Sequence, residues 1–223
     1  MIEFQHHFFS KSRQKQNSIL FTIIILLVLC ISVVGLLIYF LSAPILFIFI
    51  PILFLVFAPF IDVPQGVKTG QLIYLSPFLL HTKEKNNKIE LHGGTLFDYY
   101  FILDPSHNAR ERKQLILKNY VIGLLNLIDK FRERKEPLEI EATTYFIGEN
   151  TAKKFGFQNK RINLLQKIIL IFNYIPLLIS NSIANKSFTL PKLNKARTIR
   201  SNTNELIDKG ELILKYYERV FGE

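Results

Sequence analysis

Four residues that could take part in acid/base or metal chemistry lie close together in the chain: His92, Asp98, Asp104 and His107. Histidine and carboxylate side chains act as general acids and bases and as metal ligands. No two of the five histidines have the i, i+4 spacing of a helical zinc site, and the single cysteine lies in an apolar run far from them. A site built from these four residues is one hypothesis, and packing and capping are the simpler interpretation. No metal or cofactor is predicted.

The run His92-Gly93-Gly94-Thr95 resembles in outline the His-Gly-Gly stretch that shapes the oxyanion hole of some esterases. That family also needs a Gly-x-Ser-x-Gly turn to carry its nucleophile, and the chain has none. The two glycines are more simply interpreted as the end of a strand. If the protein is an enzyme, its catalytic residues are therefore unknown.

A basic stretch is the stronger candidate site. Residues 150–204 contain no Asp or Glu and hold ten cations, which equals the formal net charge of +10 of the whole chain. A Lys or Arg near an anionic membrane surface gains about 1 kcal/mol. We expect this stretch to contact anionic headgroups through Lys153, Lys154, Lys160, Arg161, Lys167, Lys186, Lys192, Lys195, Arg197 and Arg200.

Other interpretations of the basic stretch remain open. Its apolar residues could pack in a core while the cations face water, or it could bind a membrane protein partner. Nucleic acid is the weakest candidate partner, because no recognisable binding motif interleaves the charges.

A long uncharged run predicts a membrane anchor, which would hold the basic stretch near a bilayer. Between Lys15 and Asp62 there are 46 positions without a charge, and a charge in hydrocarbon costs several kcal/mol. Residues 19–41 are long enough to cross the hydrocarbon core, and residues 45–61 are near the lower limit. Ser42-Ala43-Pro44 separates the two runs as a turn. The sequence predicts a two-helix transmembrane hairpin over residues 18–61, after a basic tail over residues 1–17.

Three alternatives to this hairpin remain open. The first run could be a signal peptide, but it is too long and lacks a cleavage site. The second run could be re-entrant or interfacial. Both runs could instead form a soluble core.

The flanking cations predict the orientation. Lys11, Arg13 and Lys15 precede the first helix, lysines follow the second, and the loop between them is uncharged. By the positive-inside rule both termini are cytoplasmic. The abundance of Ile, Lys, Asn, Phe and Tyr suggests an AT-rich bacterial genome, and so a bacterial inner membrane.

Residues 62–223 are expected to form a small cytoplasmic α+β domain with a short antiparallel sheet and three to four helices. Residues 62–70 are predicted as a loop. Alternating or β-branched runs predict strands at residues 71–76, 78–82, 88–92 and 138–147, with Asn86-Asn87 as a turn.

The longest predicted helix of this domain begins with Asp104 as N-cap and Pro105 in its first turn, and it ends near Arg134. Its apolar stripe, which should be core, is Leu117, Tyr120, Val121, Leu124, Ile128 and Phe131. Shorter helices are predicted at residues 95–103 (or an irregular buried segment), at residues 151–155 and from Asn202 onward.

Residues 161–184 are predicted to form an apolar helix interrupted at Asn173 and Pro176. Its uninterrupted apolar core is short for a span, so a core or interfacial helix is favoured and a third span is the alternative. Together these features predict a membrane-tethered binding or assembly module that contacts the anionic membrane surface. A membrane-bound enzyme acting on a lipid-linked or phosphorylated substrate is the alternative.

Overall fold

A computed structural model describes residues 2–145 and 147–222. Its first elements form a helical hairpin: α1 (Arg13–Leu41), a 3-10 turn (Pro44–Ile48) and α2 (Phe49–Lys68) packed on α1. Among the described residues these are the two helices that are long and apolar enough to cross a membrane. The predicted hairpin is therefore present in the structure.

The predicted loop at residues 62–70 is wrong, because α2 continues to Lys68. Val63 is only 4% exposed and packs with Phe8 and Phe97. This packing keeps the last turns helical although Pro64 lies within them.

The sheet has six strands in the order β1-β2-β3-β4-β6-β5. The strands are β1 (Leu72–Ser76), β2 (Leu79–Thr82), β3 (Lys88–Gly93), β4 (Glu139–Thr144), β5 (Gln158–Lys160) and β6 (Arg197–Asn202). The first four strands and the Asn86-Asn87 turn confirm the prediction, and both turn residues have positive φ.

The expected purely antiparallel sheet is wrong, because β4 runs parallel to β3 while the other neighbouring pairs are antiparallel. Two helices connect β3 to β4, as a parallel pair requires. Strands β5 and β6 were not predicted; of their residues, only Lys160, Arg197 and Arg200 were interpreted, as cations that contact the membrane surface.

Seven helices follow the hairpin in the described part of the chain, more than the three to four expected. They are α3 (Leu96–Ile102), α4 (Ala109–Phe131), α5 (Glu149–Lys154), α6 (Leu164–Phe172), α7 (Tyr174–Asn185), α8 (Thr203–Asp208) and α9 (Gly210–Phe221). The α+β class is confirmed.

Helix α4 begins at Ala109, so the predicted start at Asp104-Pro105 is wrong. Asn108 is the N-cap: its side chain accepts from the amide of Glu111, whose carboxylate accepts from the amide of Asn108 at 2.7 Å. This reciprocal pair satisfies two free donors, which Asp104 cannot do from a turn in which it binds Ser106.

The predicted stripe of α4 lies in the core. Val121, Leu124 and Ile128 are buried, while Leu117 is half-buried. They pack with apolar residues that point inward from β3, β4 and β6, and α9 packs on another side of α4.

The N-terminal segment, predicted as a tail, packs on the domain. Asn126 of α4 donates to the carbonyl of Ile2 at 2.9 Å and accepts from its amide at 2.6 Å. Phe8 is fully buried among the aromatic rings of Phe97 and Phe101. Both ends of the hairpin therefore contact one folded unit.

Candidate functional site

The candidate site is the basic apolar stretch 150–204, whose central feature is the helix pair α6–α7. The two helices meet at Asn173 with a bend of 64°. Pro176 lies in the first turn of α7, where its missing N–H costs little. The predicted interruption at these two residues is confirmed. The pair would count as a third membrane span only if both bent halves were one span.

The two helices differ in how they contact the rest of the molecule. Helix α7 packs against α2, α3 and α4, and Pro176, Ser180 and Ala184 are buried there. No residue of α6 is buried. Six of its large apolar side chains are 40% to 75% exposed: Leu164, Leu165, Ile168, Ile169, Ile171 and Phe172.

The start of α6 is fixed to the sheet by a single polar residue. Asn163 caps the helix by accepting from the amide of Gln166 at 2.7 Å. The Gln166 side chain donates to Glu141 at 3.0 Å and accepts from the Thr198 hydroxyl at 2.7 Å. The polar end of α6 is thus positioned by β4 and β6, while most of its apolar side chains remain exposed.

The ten predicted cations fall into two groups. Six are exposed and form no ion pair within the described residues: Lys154, Lys160, Arg161, Lys167, Lys192 and Lys195. Lys186 is also exposed, and its ammonium donates to the Pro105 carbonyl at 3.2 Å.

The remaining three cations form ion pairs with carboxylates of the protein. Lys153 and Arg197 both pair with Glu149, at 2.9 and 3.6 Å. Arg200 of β6 pairs with Glu141 of β4, directly across the antiparallel ladder. Each of these three already has a carboxylate partner, and headgroup contact by the ten cations stays a prediction.

Glu141 is a buried carboxylate in this network. Burial disfavours its charged form, but hydrogen bonds from Lys88, at 3.1 Å, and from Arg200 outweigh that cost and hold the pKa of Glu141 below its ordinary value. The ionised carboxylate also accepts from Gln166, so it joins β3, β4, β6 and α6.

A cavity of about 210 Å³ lies between α4, the carboxyl ends of β3 and β4, and the pair α6–α7. Its floor is aliphatic and includes Leu79, Leu91, Val121 and Leu124. Leu170 of α6 and Leu177 of α7 form the wall on the side of the exposed helix. The polar side chains in the lining include Lys113, Tyr99, Tyr120, Tyr145, Thr143, Ser180 and Asn181.

Three of these polar groups are tyrosines that stay protonated. Burial raises the pKa of Tyr99, and the neighbouring Tyr120 and Tyr145 raise it further. Burial likewise raises the pKa of Tyr120 and of Tyr145. The cavity therefore offers neutral hydroxyl groups, together with the exposed ammonium of Lys113 in its lining.

The four residues considered for acid/base or metal chemistry do not form one site. The fully buried Asp98 accepts from His6 at 3.1 Å, from the Tyr74 hydroxyl and from the amide and hydroxyl of Thr95. Asp104 binds Ser106 instead. Among the described residues, no three His, Cys, Asp or Glu side chains are grouped as metal ligands would be.

The run His92-Gly93-Gly94-Thr95 has a structural role. Gly93 is the last residue of β3, and Thr95 caps α3 in a reciprocal pair with Asp98. A side chain at Gly93 would collide with the Tyr120 hydroxyl, since an added Cβ would lie 2.2 Å from it. The glycines thus end a strand and let Tyr120 approach the backbone.

Sequence reasoning missed the cavity and the buried His6–Asp98 contact. The three tyrosines are 21 and 25 positions apart in the chain, and no spacing rule brings them together. His6 is 92 positions from Asp98. The only sequence signal for the cavity is that the stripe of α4 includes Tyr120 among aliphatic residues.

Comparisons of the chain with protein-family models, curated proteins and solved structures found no match.

Proposed function

We propose that the protein is a membrane-anchored binding module whose folded domain lies on the anionic, cytoplasmic surface of the bilayer, with α6 in the interfacial layer. One observation carries this proposal: α6 is a nine-residue apolar helix without a buried residue, flanked by exposed cations that form no ion pair in the described part of the chain. Such a helix is stable at a surface that offers both hydrocarbon and negative charge.

The free energies of apolar burial and of charge attraction favour α6 at the membrane surface over α6 in water. Burying one large apolar side chain contributes about 1.5–3 kcal/mol, and six such side chains of α6 are at least 40% exposed. Phe188 and Leu190, just beyond α7, are 78% and 56% exposed and extend the same apolar segment. Each nearby cation adds about 1 kcal/mol on an anionic surface.

The contacts of the N-terminal segment support the hairpin topology. Residues 2–12 precede α1, and they pack on α3 and α4, which follow α2. If α1 and α2 both cross the bilayer, the segment and the domain are on the same side, as their contacts require. The cations on both flanks favour the cytoplasmic side.

The cavity bears on the choice between a binding module and an enzyme. Among the described residues its lining includes hydroxyls, amides and one lysine, but no carboxylate, histidine or thiol. Histidine and carboxylates are the commonest general acids and bases, although Lys, Tyr, Ser and Thr also act in catalysis. A mostly apolar lining with a few polar groups is typical of a binding site, and an enzyme acting on a lipid-linked or phosphorylated substrate stays the alternative.

Hydrogen–deuterium exchange of the full chain in nanodiscs tests the proposal. The amides of α6 should exchange more slowly in nanodiscs that contain phosphatidylglycerol than in nanodiscs of phosphatidylcholine alone. High salt should remove the difference, because it screens exposed charges. Equal exchange in both lipids, at low and high salt, would contradict the proposal.

Charge reversal provides a matched control. Replacing Lys160, Arg161 and Lys167 by Glu should remove the slow exchange, because these cations flank or lie on α6. Replacing Lys135, Lys209 and Lys215 by Glu changes the net charge equally but lies outside the stretch, and it should leave α6 unaffected.

A further inference from the structure

The cavity beneath α6 has the size of a short piece of hydrocarbon chain. An engineered cavity of about 150 Å³ holds one benzene molecule, so 210 Å³ has room for on the order of eight carbon atoms. The volume is therefore sufficient for a small apolar ligand.

The lining selects an apolar occupant with an oxygen-bearing end. Leu79, Leu91, Val121 and Leu124 offer only aliphatic contacts along the floor. The hydroxyls of Tyr99 and Tyr145 can donate to a carboxylate or ester oxygen, and the Lys113 ammonium can neutralise a negative charge. Such a division, with a mostly apolar lining and a few polar groups, is typical of small-molecule sites.

The position of the cavity points to the membrane as the source of its occupant. Leu170 of α6 and Leu177 of α7 separate the cavity from the exposed apolar face of α6. Helix α6 has no buried residue, and its side-chain hydrogen bonds to the sheet are those of Gln166 at its first turn. Displacing α6 would thus open a path from the interface while breaking few contacts.

We propose that this cavity binds the oxygen-bearing end of one acyl chain from the membrane, with about eight carbon atoms inside it. The hydroxyls of Tyr99 and Tyr145 and the Lys113 ammonium hold the oxygen atoms, and displacement of α6 admits the chain. The inference rests on the proposed function, because it needs α6 at the membrane interface. The shared chemistry is an acyl chain next to oxygen acceptors, and it has two possible sources, a free fatty acid or a phospholipid.

Photocrosslinking of the full chain in nanodiscs tests the site. One set of nanodiscs contains a medium-chain fatty acid with a diazirine in its tail, and the other contains a phosphatidylglycerol with a diazirine in one acyl chain. Crosslinks to Val121 or Leu124 of α4 are expected with at least one probe. The probe that labels these residues identifies the source.

Matched variants of α4 make the test specific. Leu117 and Leu125 are both half-buried on α4, but only Leu117 is among the lining residues. Leu117→Phe should lower crosslinking of Val121 and Leu124 by roughly tenfold, the effect of about 1.4 kcal/mol of lost binding, while Leu125→Phe should not. Ala142→Val, a smaller change in the lining, provides the same test if Leu117→Phe fails to fold.

The outcomes separate this inference from the proposed function. Crosslinks confined to the outer faces of α1, α2 and α6, or an equal loss in the Leu117 and Leu125 variants, would overturn the acyl-chain site. Hydrogen exchange of α6 is measured on the same samples. Slow exchange of α6 without cavity crosslinks would contradict the site alone, whereas fast exchange of α6 in every lipid would contradict the proposed function.

Discussion

Helices α4 and α6 are both rich in apolar residues, yet only α4 buries them within the described part of the protein. Val121, Leu124 and Ile128 of α4 are buried against the sheet, and polar residues cover its other side. In α6 no residue is buried, and six large apolar side chains are 40% to 75% exposed. An apolar stripe that is buried is typical of packing on a core, whereas an amphipathic helix whose apolar face is exposed needs a hydrophobic environment outside the domain.

The two helices also differ in how they are fixed. Helix α4 contacts β1, β2, α7, α8 and α9. A substitution in α4 therefore disturbs packing across the whole domain. Helix α6 is fixed mainly through Gln166 and the bend to α7. The comparison therefore predicts that substitutions in α4 act on stability, and that substitutions in α6 act on the membrane contact.

The largest effect is expected from truncation of the α4 core. Leu124→Ala should lower the free energy of unfolding by about 2–5 kcal/mol, because it leaves a cavity among buried side chains. Ile171→Ala in α6, at a side chain that is 68% exposed, should change it by less than about 0.5 kcal/mol. Denaturant unfolding of both variants in detergent measures the difference. Equal destabilisation would show that α6 is part of the core.

A pH effect of somewhat smaller size should come from His81, a buried residue of β2 that contacts Lys130 and Phe131 at the end of α4. Burial lowers the pKa of His81 from 6.5 to about 4; the hydrogen bond to the Thr82 carbonyl opposes this change, and the nearby Lys130 ammonium adds to it. Because the neutral form is favoured in the folded state, stability is complete above pH 6.5 and is lost as the pH falls toward 4.

The expected loss at His81 is about 2–3 kcal/mol, since each pKa unit corresponds to about 1.36 kcal/mol. His81→Gln cannot titrate, so its stability should fall less over the same pH range. Unfolding curves at several pH values compare the two proteins. Parallel pH profiles would mean that His81 is not held in its neutral form.

A smaller effect is expected from Gly→Ala substitutions, which should destabilise the protein in α4 but not in α1 of the hairpin. Gly123 of α4 lies against β2, and an added Cβ would lie 2.7 Å from Leu79 and 2.9 Å from the Ser76 hydroxyl. Gly123→Ala should destabilise the protein by about 1–3 kcal/mol through overpacking. In α1, Gly35→Ala meets no atom within 4 Å and should be nearly neutral. Thermal melts in the same detergent provide the comparison, and a neutral Gly123→Ala would contradict the close packing of α4 on the sheet.

The spacing of apolar residues and the positions of turn-forming residues were enough to predict the hairpin, the first four strands and the core stripe of α4. Each depends on a local pattern, such as the uncharged run before Asp62 or the turn at Asn86-Asn87. The start of α4 was misplaced because Asp104-Pro105 and Asn108 both carry a local N-cap signal, and the reciprocal bond with Glu111 decides between them.

Tertiary contacts decide what the sequence could not. Strand β6 was missed because Arg197 and Arg200 were interpreted as surface cations, whereas Glu149 and Glu141 neutralise them across distant parts of the chain. The basic stretch was correctly identified as acid-free, but only the structure shows which of its cations remain without a carboxylate. The acyl-sized cavity depends on helices and strands meeting in space, and no spacing in the chain encodes it.

Depth-dependent fluorescence quenching tests the central claim most directly. In a Cys30→Ser background, a single cysteine replaces Ile171 of α6 or, as the control, Lys215 of α9, and each carries an environment-sensitive fluorophore in proteoliposomes with brominated lipids. We predict that bromines in the upper acyl chain quench the label at position 171 strongly and leave the label at position 215 unaffected. Equal, weak quenching at both positions would contradict the placement of α6 in the membrane interface.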